Sequence, residues 1–204
     1  MELTDNQRQL LLAFMEESSA KGMDKVSFSD LAKKTGKSKS TIFAHFSSKE
    51  DLVDKLYAYG KSLTDKDNLK ITFSGPARTV IDKAVDYWHR VYAQQPRCFF
   101  HRIVEMQKFT DKRALAISKS LDAMVYSQTF VVMEALSDTE RLEIDELDLA
   151  TETFASTILT YLNAELLDDH AEDMAWKEER FITRFCRQYE PHTKKQTDSR
   201  YVPE

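Results

Sequence analysis

Residues Ser27–Lys49 read SFSDLAKKTGKSKSTIFAHFSSK, and their punctuation decides the fold. Ser27 is an N-cap residue, and Asp30 three positions later completes a capping-box pattern. Phe28, Leu31 and Ala32 follow as an apolar stripe at helical spacing. Gly36 ends this helix, since the terminating position favours a left-handed backbone that glycine adopts cheaply. Ser38 caps a second short helix, whose Ile42 and Phe46 are four apart on an inward face. Lys39, Ser40 and Phe43 face outward, with Thr41 and His45 at the edge. From Leu31 to Lys49 there are five lysines and no acid. A short cationic, hydroxyl-rich helix after a glycine turn suits a helix-turn-helix that enters a DNA major groove.

The positive charge is local. Residues 1–55 hold nine basic and nine acidic side chains, so the net charge of −5 falls on the remainder. A chain that coated nucleic acid over its whole surface would be basic throughout, whereas a small reading module needs only a patch. With 204 residues, 42% apolar and 31% charged, the chain has the length and composition of a soluble globular protein of one or two domains. Only four Gly and four Pro are present, which points to helices rather than many turns. The opening MELTDNQRQ is polar, unlike a signal peptide, and the charge-free run Thr153–Ala164 is too short to span a bilayer. The expectation is a cytoplasmic protein with no membrane partner. Cys98 and Cys186, far apart in sequence, read as reduced thiols; nothing near either supports a thiol switch.

The same stretch resembles the DNA-binding domain of the tetracycline-repressor (TetR) family. The resemblance rests on Ser27, Leu31-Ala32, Gly36, Ser38, Thr41-Ile42-Phe43-Ala44-His45-Phe46 and Lys49-Glu50-Asp51-Leu52. It covers about a quarter of the chain, and its several positions agree at fixed spacing. Three positions depart from the family pattern. Phe43 stands where Tyr is usual, so a phosphate-directed hydroxyl is missing; Lys37 stands where Val is common in the turn; Ser40 replaces a frequent Gly.

The rest of the chain reads as all-α, about nine helices in total, the count the resemblance also implies. Thr4 or Asp5 caps a first helix over 4–21, with Leu10, Leu11, Phe14 and Met15 apolar and Gly22 stopping it. A fourth helix begins after Ser47 and Ser48, with Glu50 and Asp51 in its first turn, where the helix dipole favours acids. Residues 64–76 read as a loop and module boundary. Helices are expected from Pro76 to Pro96 and over 97–109, 112–136, 145–168 and 171–190. The expected organisation is a helix-turn-helix unit over 1–57, its linking helix running from about 48 to about 66. A helical ligand-binding and dimerisation unit over 58–190 and a polar tail over 191–204 complete it.

The candidate DNA contacts are Ser27, Lys37, Ser38, Lys39, Ser40, Thr41, Phe43, His45 and Lys49. Hydroxyls can meet phosphates or base edges, and Lys39 can reach a guanine edge or a phosphate. The resemblance assigns Thr41, Phe43 and Lys49 to positioning on the backbone. Taken singly, each residue also fits an ordinary solvated face with capping serines; His45 is as readily structural as base-reading.

In the second unit the resemblance implies a small-molecule pocket. Trp88, Tyr92, Phe99 and His101 are candidates to line it, with Met106, Met124, Tyr126 and Phe130. Such a set suits a hydrophobic or aromatic ligand; the plain alternative for any one of them is core packing. The resemblance also implies a homodimer through the last two helices, with Phe154, Ile158, Tyr161, Phe181 and Phe185 as interface candidates. Two reading heads about a twofold axis would recognise a palindromic operator on double-stranded DNA. His89, Cys98 and His101 match no compact metal spacing, and no cofactor is implied. No phosphate loop or nucleophile pattern indicates an enzyme. The expected function is a DNA-binding regulator, most simply a repressor released by a small molecule. The alternative is an architectural or partner-recruiting protein that uses the same helix-turn-helix without a ligand.

Overall fold

The computed structural model describes residues 3–64, 68–166 and 171–192, and among these every regular element is helical. The helices are α1 (Asp5–Lys21), α2 (Phe28–Thr35), α3 (Lys39–His45), α4 (Lys49–Thr64) and α5 (Ala77–Ala93). They continue as α6 (Arg97–Gln107), α7 (Lys112–Asp138), α8 (Leu147–Leu166) and α9 (Ala171–Gln188). A single 3₁₀ turn, Met23–Lys25, joins α1 to α2 and has no signature in the sequence pattern. The ends expected for the linking helix (65–66) and for the helix over 145–168 (167–168) lie outside the described residues, as do residues 193–204 of the tail.

The local signals act as their chemistry dictates. Thr4 caps α1 by accepting a hydrogen bond from Gln7 N at 3.2 Å, while Gln7 Oε1 accepts from Thr4 N at 3.1 Å. Ser27 and Asp30 form the same reciprocal box on α2, at 3.2 and 2.8 Å. Gly36 closes α2 at φ 66°, in the left-handed region. α5 stops at Ala93, short of Pro96, which instead precedes α6.

Two apolar clusters hold the molecule together. One joins α5, α7, α8 and α9 around Trp88, Met133, Phe154 and Phe185. Arg78 ties α5 to α9 as well, donating to Thr183 at 2.7 Å and pairing with Glu179. The second cluster contains Leu10, Phe14, Leu31, Ile42 and Leu56 of the first four helices and Phe46 just past α3, together with Phe100, Ile103 and Val104 of α6 and Ala114 of α7. The helix-turn-helix core is therefore completed by residues from far along the chain. Gly60 makes this close approach feasible: its backbone lies against the Phe100 ring, where a Cβ would overlap the ring carbons. Arg113 at the start of α7 adds a polar tie to α4. It pairs with Asp54, and its guanidinium lies 4.7 Å over the Tyr57 ring.

Of the interface candidates, Phe154, Ile158 and Phe185 are buried inside the protomer. The broad apolar faces of α8 and α9 find their partners in α5 and α7 of the same molecule, which a one-helix view of the sequence does not contain. Tyr161 and Phe181 are half-buried against the same cluster.

Candidate nucleic-acid interface

α3 is positioned by two residues. Ile42 and Phe46 are both fully buried, and they seat the helix on α1, α2 and α4. With that side fixed, Ser38, Lys39, Ser40 and Phe43 are exposed, and Thr41 and His45 lie at the margin. Ser38 Oγ accepts from Thr41 N at 3.1 Å and shares hydrogen bonds with Ser40 Oγ (2.7 Å) and Thr41 Oγ1 (2.8 Å). The first turn of α3 therefore carries three linked hydroxyls at the protein surface. Each can rotate to donate to an acceptor that arrives from outside.

The lysines of the stretch divide into distinct groups. Lys34 is committed to Glu16 and Glu17 of α1, at 2.9 and 3.1 Å, and its ammonium is held above the usual lysine range chiefly by the hydrogen bond to Glu16. It stabilises α2 on α1 and contributes little free charge. Lys37 donates to Asn6 Oδ1 at 2.8 Å, which binds the turn to the start of α1. Lys49 donates to the Asp24 carbonyl at 2.8 Å. Lys39 projects from the exposed side of α3. Ser27 Oγ donates to Asp30, whose carboxyl is held below the usual carboxylate range by the Ser27 hydroxyl and then by the Ser27 N–H.

Phe43 is 53% exposed, yet its ring is held: Phe28 meets it edge-on, centroids 4.7 Å apart at 83°. The nine candidate DNA contacts thus fall on one contiguous segment that ends at the start of α4.

The candidates for a ligand pocket differ in burial. Trp88 is fully buried and donates from Nε1 to Gln128 Oε1 at 2.7 Å. Tyr92 is buried beside His101, ring centroids 4.6 Å apart. Phe99, Met124 and Phe130 are half-buried, whereas Met106 and Tyr126 are 43% and 36% exposed. His101 differs from the rest. It is 1% exposed, and neither ring nitrogen has a hydrogen-bond partner. Burial, with a smaller effect of the Arg97 charge, pushes this imidazole down to about 3, so it is neutral.

A different cluster joins α5, α8 and α9. His89 Nδ1 lies 2.7 Å from Glu165, and Nε2 lies 2.9 Å from Glu178. Burial alone lowers the His89 pKa, but the hydrogen bonds and charges of Glu178 and Glu165 outweigh it and hold it at about 9. These groups, with Tyr161, Met174 and Ala175, line a cavity of about 300 Å³ that sequence reasoning did not find. Contacts 76 and 89 residues apart leave no local signal. Among the described residues no group of His, Cys, Asp and Glu converges on a metal site, and no helix is long and apolar enough to cross a membrane.

Residues 10–56 match the family model described as "Bacterial regulatory proteins, tetR family". No curated protein sequence matches this chain. Among solved structures, the chain is similar to a transcriptional regulator from Saccharomonospora viridis in complex with choline. That pair has a TM-score of 0.65 at 16% identity, covering 89% of this chain and 97% of that one. It is similar also to a TetR transcription regulator from Haloarcula marismortui, with a TM-score of 0.60 and 13% identity over 92% and 100% of the two chains. The reduced form of E. coli NemR gives a TM-score of 0.59 at 17% identity over 93% and 100%. At such identities these likenesses establish the fold, while the match over residues 10–56 identifies the domain that carries the lysine-and-hydroxyl face. Residues 10–56 thus match the N-terminal domain of the tetR family, and that domain sits on a fold shared along nearly the whole chain with these solved structures.

Proposed function

We propose that this protein represses transcription as a homodimer on a palindromic operator and is released when a small molecule binds its second unit. In this reading residues 1–57 read DNA, residues 58–190 bind the effector and dimerise, and α4 connects the two. The single observation that carries it is the exposed side of α3. Ile42 and Phe46 are consumed by the core, which leaves Lys39, Ser40 and Phe43 outward with the linked Ser38 and Thr41 hydroxyls beside them. Lys39 and the hydroxyls meet base edges and phosphates; Lys37, Lys49 and Ser27 hold the backbone; His45 lies at the margin. Selection of bound fragments from random DNA by the purified protein tests this reading, and replacing Lys39 or Thr41 by Ala should cost about 1–3 kcal/mol of binding to the selected site.

The effector half of the reading draws on His101. A buried imidazole with two unpartnered nitrogens offers one donor and one acceptor to a molecule that enters between α5 and α6. Release then follows from linkage, since the effector must favour the off-DNA arrangement. The route to DNA would run through Phe100, one residue before His101, which touches α4 at Gly60.

A second reading has its own observation. Trp88 is sealed in the core and hydrogen-bonded to Gln128, whereas Met106 and Tyr126 are partly open to solvent, so the three candidates do not share one environment. That arrangement favours a DNA-binding protein whose second unit only dimerises or recruits a partner. Operator binding that is indifferent to every compound in a broad library of small hydrophobic and aromatic molecules would favour this alternative.

A further inference from the structure

Phe43 is the least explained residue on the reading face. A large apolar side chain gains about 1.5–3 kcal/mol from full burial, yet this ring is 53% exposed in the middle of a seven-residue helix. It contributes little to the fold in that position. The ring is nevertheless held in place, edge-on against Phe28. Its surroundings are polar and cationic: Lys39 lies one turn earlier on the same side of α3, and no acid occurs between Leu31 and Lys49. An apolar patch framed by positive charge fits a polyanion that presents an apolar group of its own. In the DNA major groove that group is the 5-methyl of thymine.

Resting on the proposal that α3 reads DNA, we infer that Phe43, backed by Phe28, recognises a thymine methyl and so determines sequence specificity at that base pair. The ring carries no donor or acceptor, so it cannot replace a phosphate contact made by a hydroxyl. Its contribution is contact area, and burying one methyl is equivalent to roughly 0.8 kcal/mol, or about fourfold in affinity. Phe28 adds pre-organisation, because a ring held before binding has little rotamer freedom left to lose.

The test uses the full-length protein and an operator obtained by selection. Thymines are replaced by uracil one at a time, which removes the methyl and keeps base pairing. Wild type should lose about fourfold at one or two positions of each half-site. Phe43→Ala should bind the thymine operator more weakly and no longer distinguish thymine from uracil there, while Phe43→Leu should retain part of the preference. Because the ring is exposed, both variants should melt close to wild type. Operator binding that is unaffected by uracil at every position would overturn the inference and leave the DNA reading intact, with Phe43 resting on deoxyribose. Uracil sensitivity that persists in Phe43→Ala would overturn it too, because another residue then reads the methyl. Failure of selection to enrich any sequence would remove the DNA reading itself, and the inference with it.

Discussion

The backbone of Gly60 on α4 lies against the ring of Phe100 on α6, with no room for a side chain between them. Phe100 is fully buried and cannot swing away. In an exposed helix interior, Gly→Ala would add up to about 1 kcal/mol of stability. Here Gly60→Ala should instead destabilise by about 1–3 kcal/mol, the range for overpacking. Phe100→Ala should cost about 3–5 kcal/mol through the cavity it leaves. In the double variant the methyl added at position 60 enters space vacated by the ring, so the total loss should fall short of the sum. Urea unfolding of the four proteins measures this, and strict additivity would mean that the two residues do not meet.

His89 links three helices through two carboxylates. Its ordinary pKa is 6.5 and its folded value about 9, because Glu178 and Glu165 outweigh the effect of burial. A raised folded pKa contributes stability that is complete below about pH 6.5 and is lost as pH rises through about 9. Glu165 is 44% exposed, so solvent screens part of the effect, leaving on the order of 1 kcal/mol. The melting temperature of wild type should fall between pH 7 and pH 10 more than that of His89→Gln. Parallel melting curves across that window would contradict the clasp.

His101 behaves in the opposite sense. Its folded pKa of about 3 lies below the ordinary 6.5, so its contribution is full above pH 6.5 and is lost as pH falls toward 3. His101→Phe puts a somewhat larger apolar ring in place of the imidazole and removes two unpartnered nitrogens. It should stabilise the protein by about 1–3 kcal/mol at neutral pH and lessen the loss of stability between pH 6 and pH 3. If an effector bonds to His101, the same variant should keep operator binding and lose effector-dependent release.

Lys49 tests the division between positioning and reading. Its ammonium rests on the Asp24 carbonyl at the start of α4. Lys49→Ala should weaken binding to specific and unrelated DNA alike and reduce the slope of log affinity against log salt by about one. Lys39→Ala should lower affinity for the selected site more than for unrelated DNA. Salt titrations of the two variants on both DNAs separate these roles.

Local chemistry was legible in the sequence wherever partners lie within one turn. The Ser27–Asp30 box, the Ser38 cap and the left-handed Gly36 all follow from neighbours three or four residues away. The outward set on α3 followed from the burial of Ile42 and Phe46. Features that depend on distant segments were not legible. Lys34 counts as positive in the sequence but is paired with Glu16 and Glu17. Phe154 and Phe185 read as sticky until α5 and α7 are seen to cover them. The fit of Gly60 on Phe100 and the two carboxylates on His89 join helices far apart in the chain, so no spacing rule announces them.

The most direct measurement is selection of bound fragments from random DNA by the full-length protein at two salt concentrations. The expected result is an enriched palindrome, bound far more tightly at low salt, because phosphate contacts release counterions. Failure to enrich any sequence even at low salt would contradict the claim that the exposed side of α3 reads DNA.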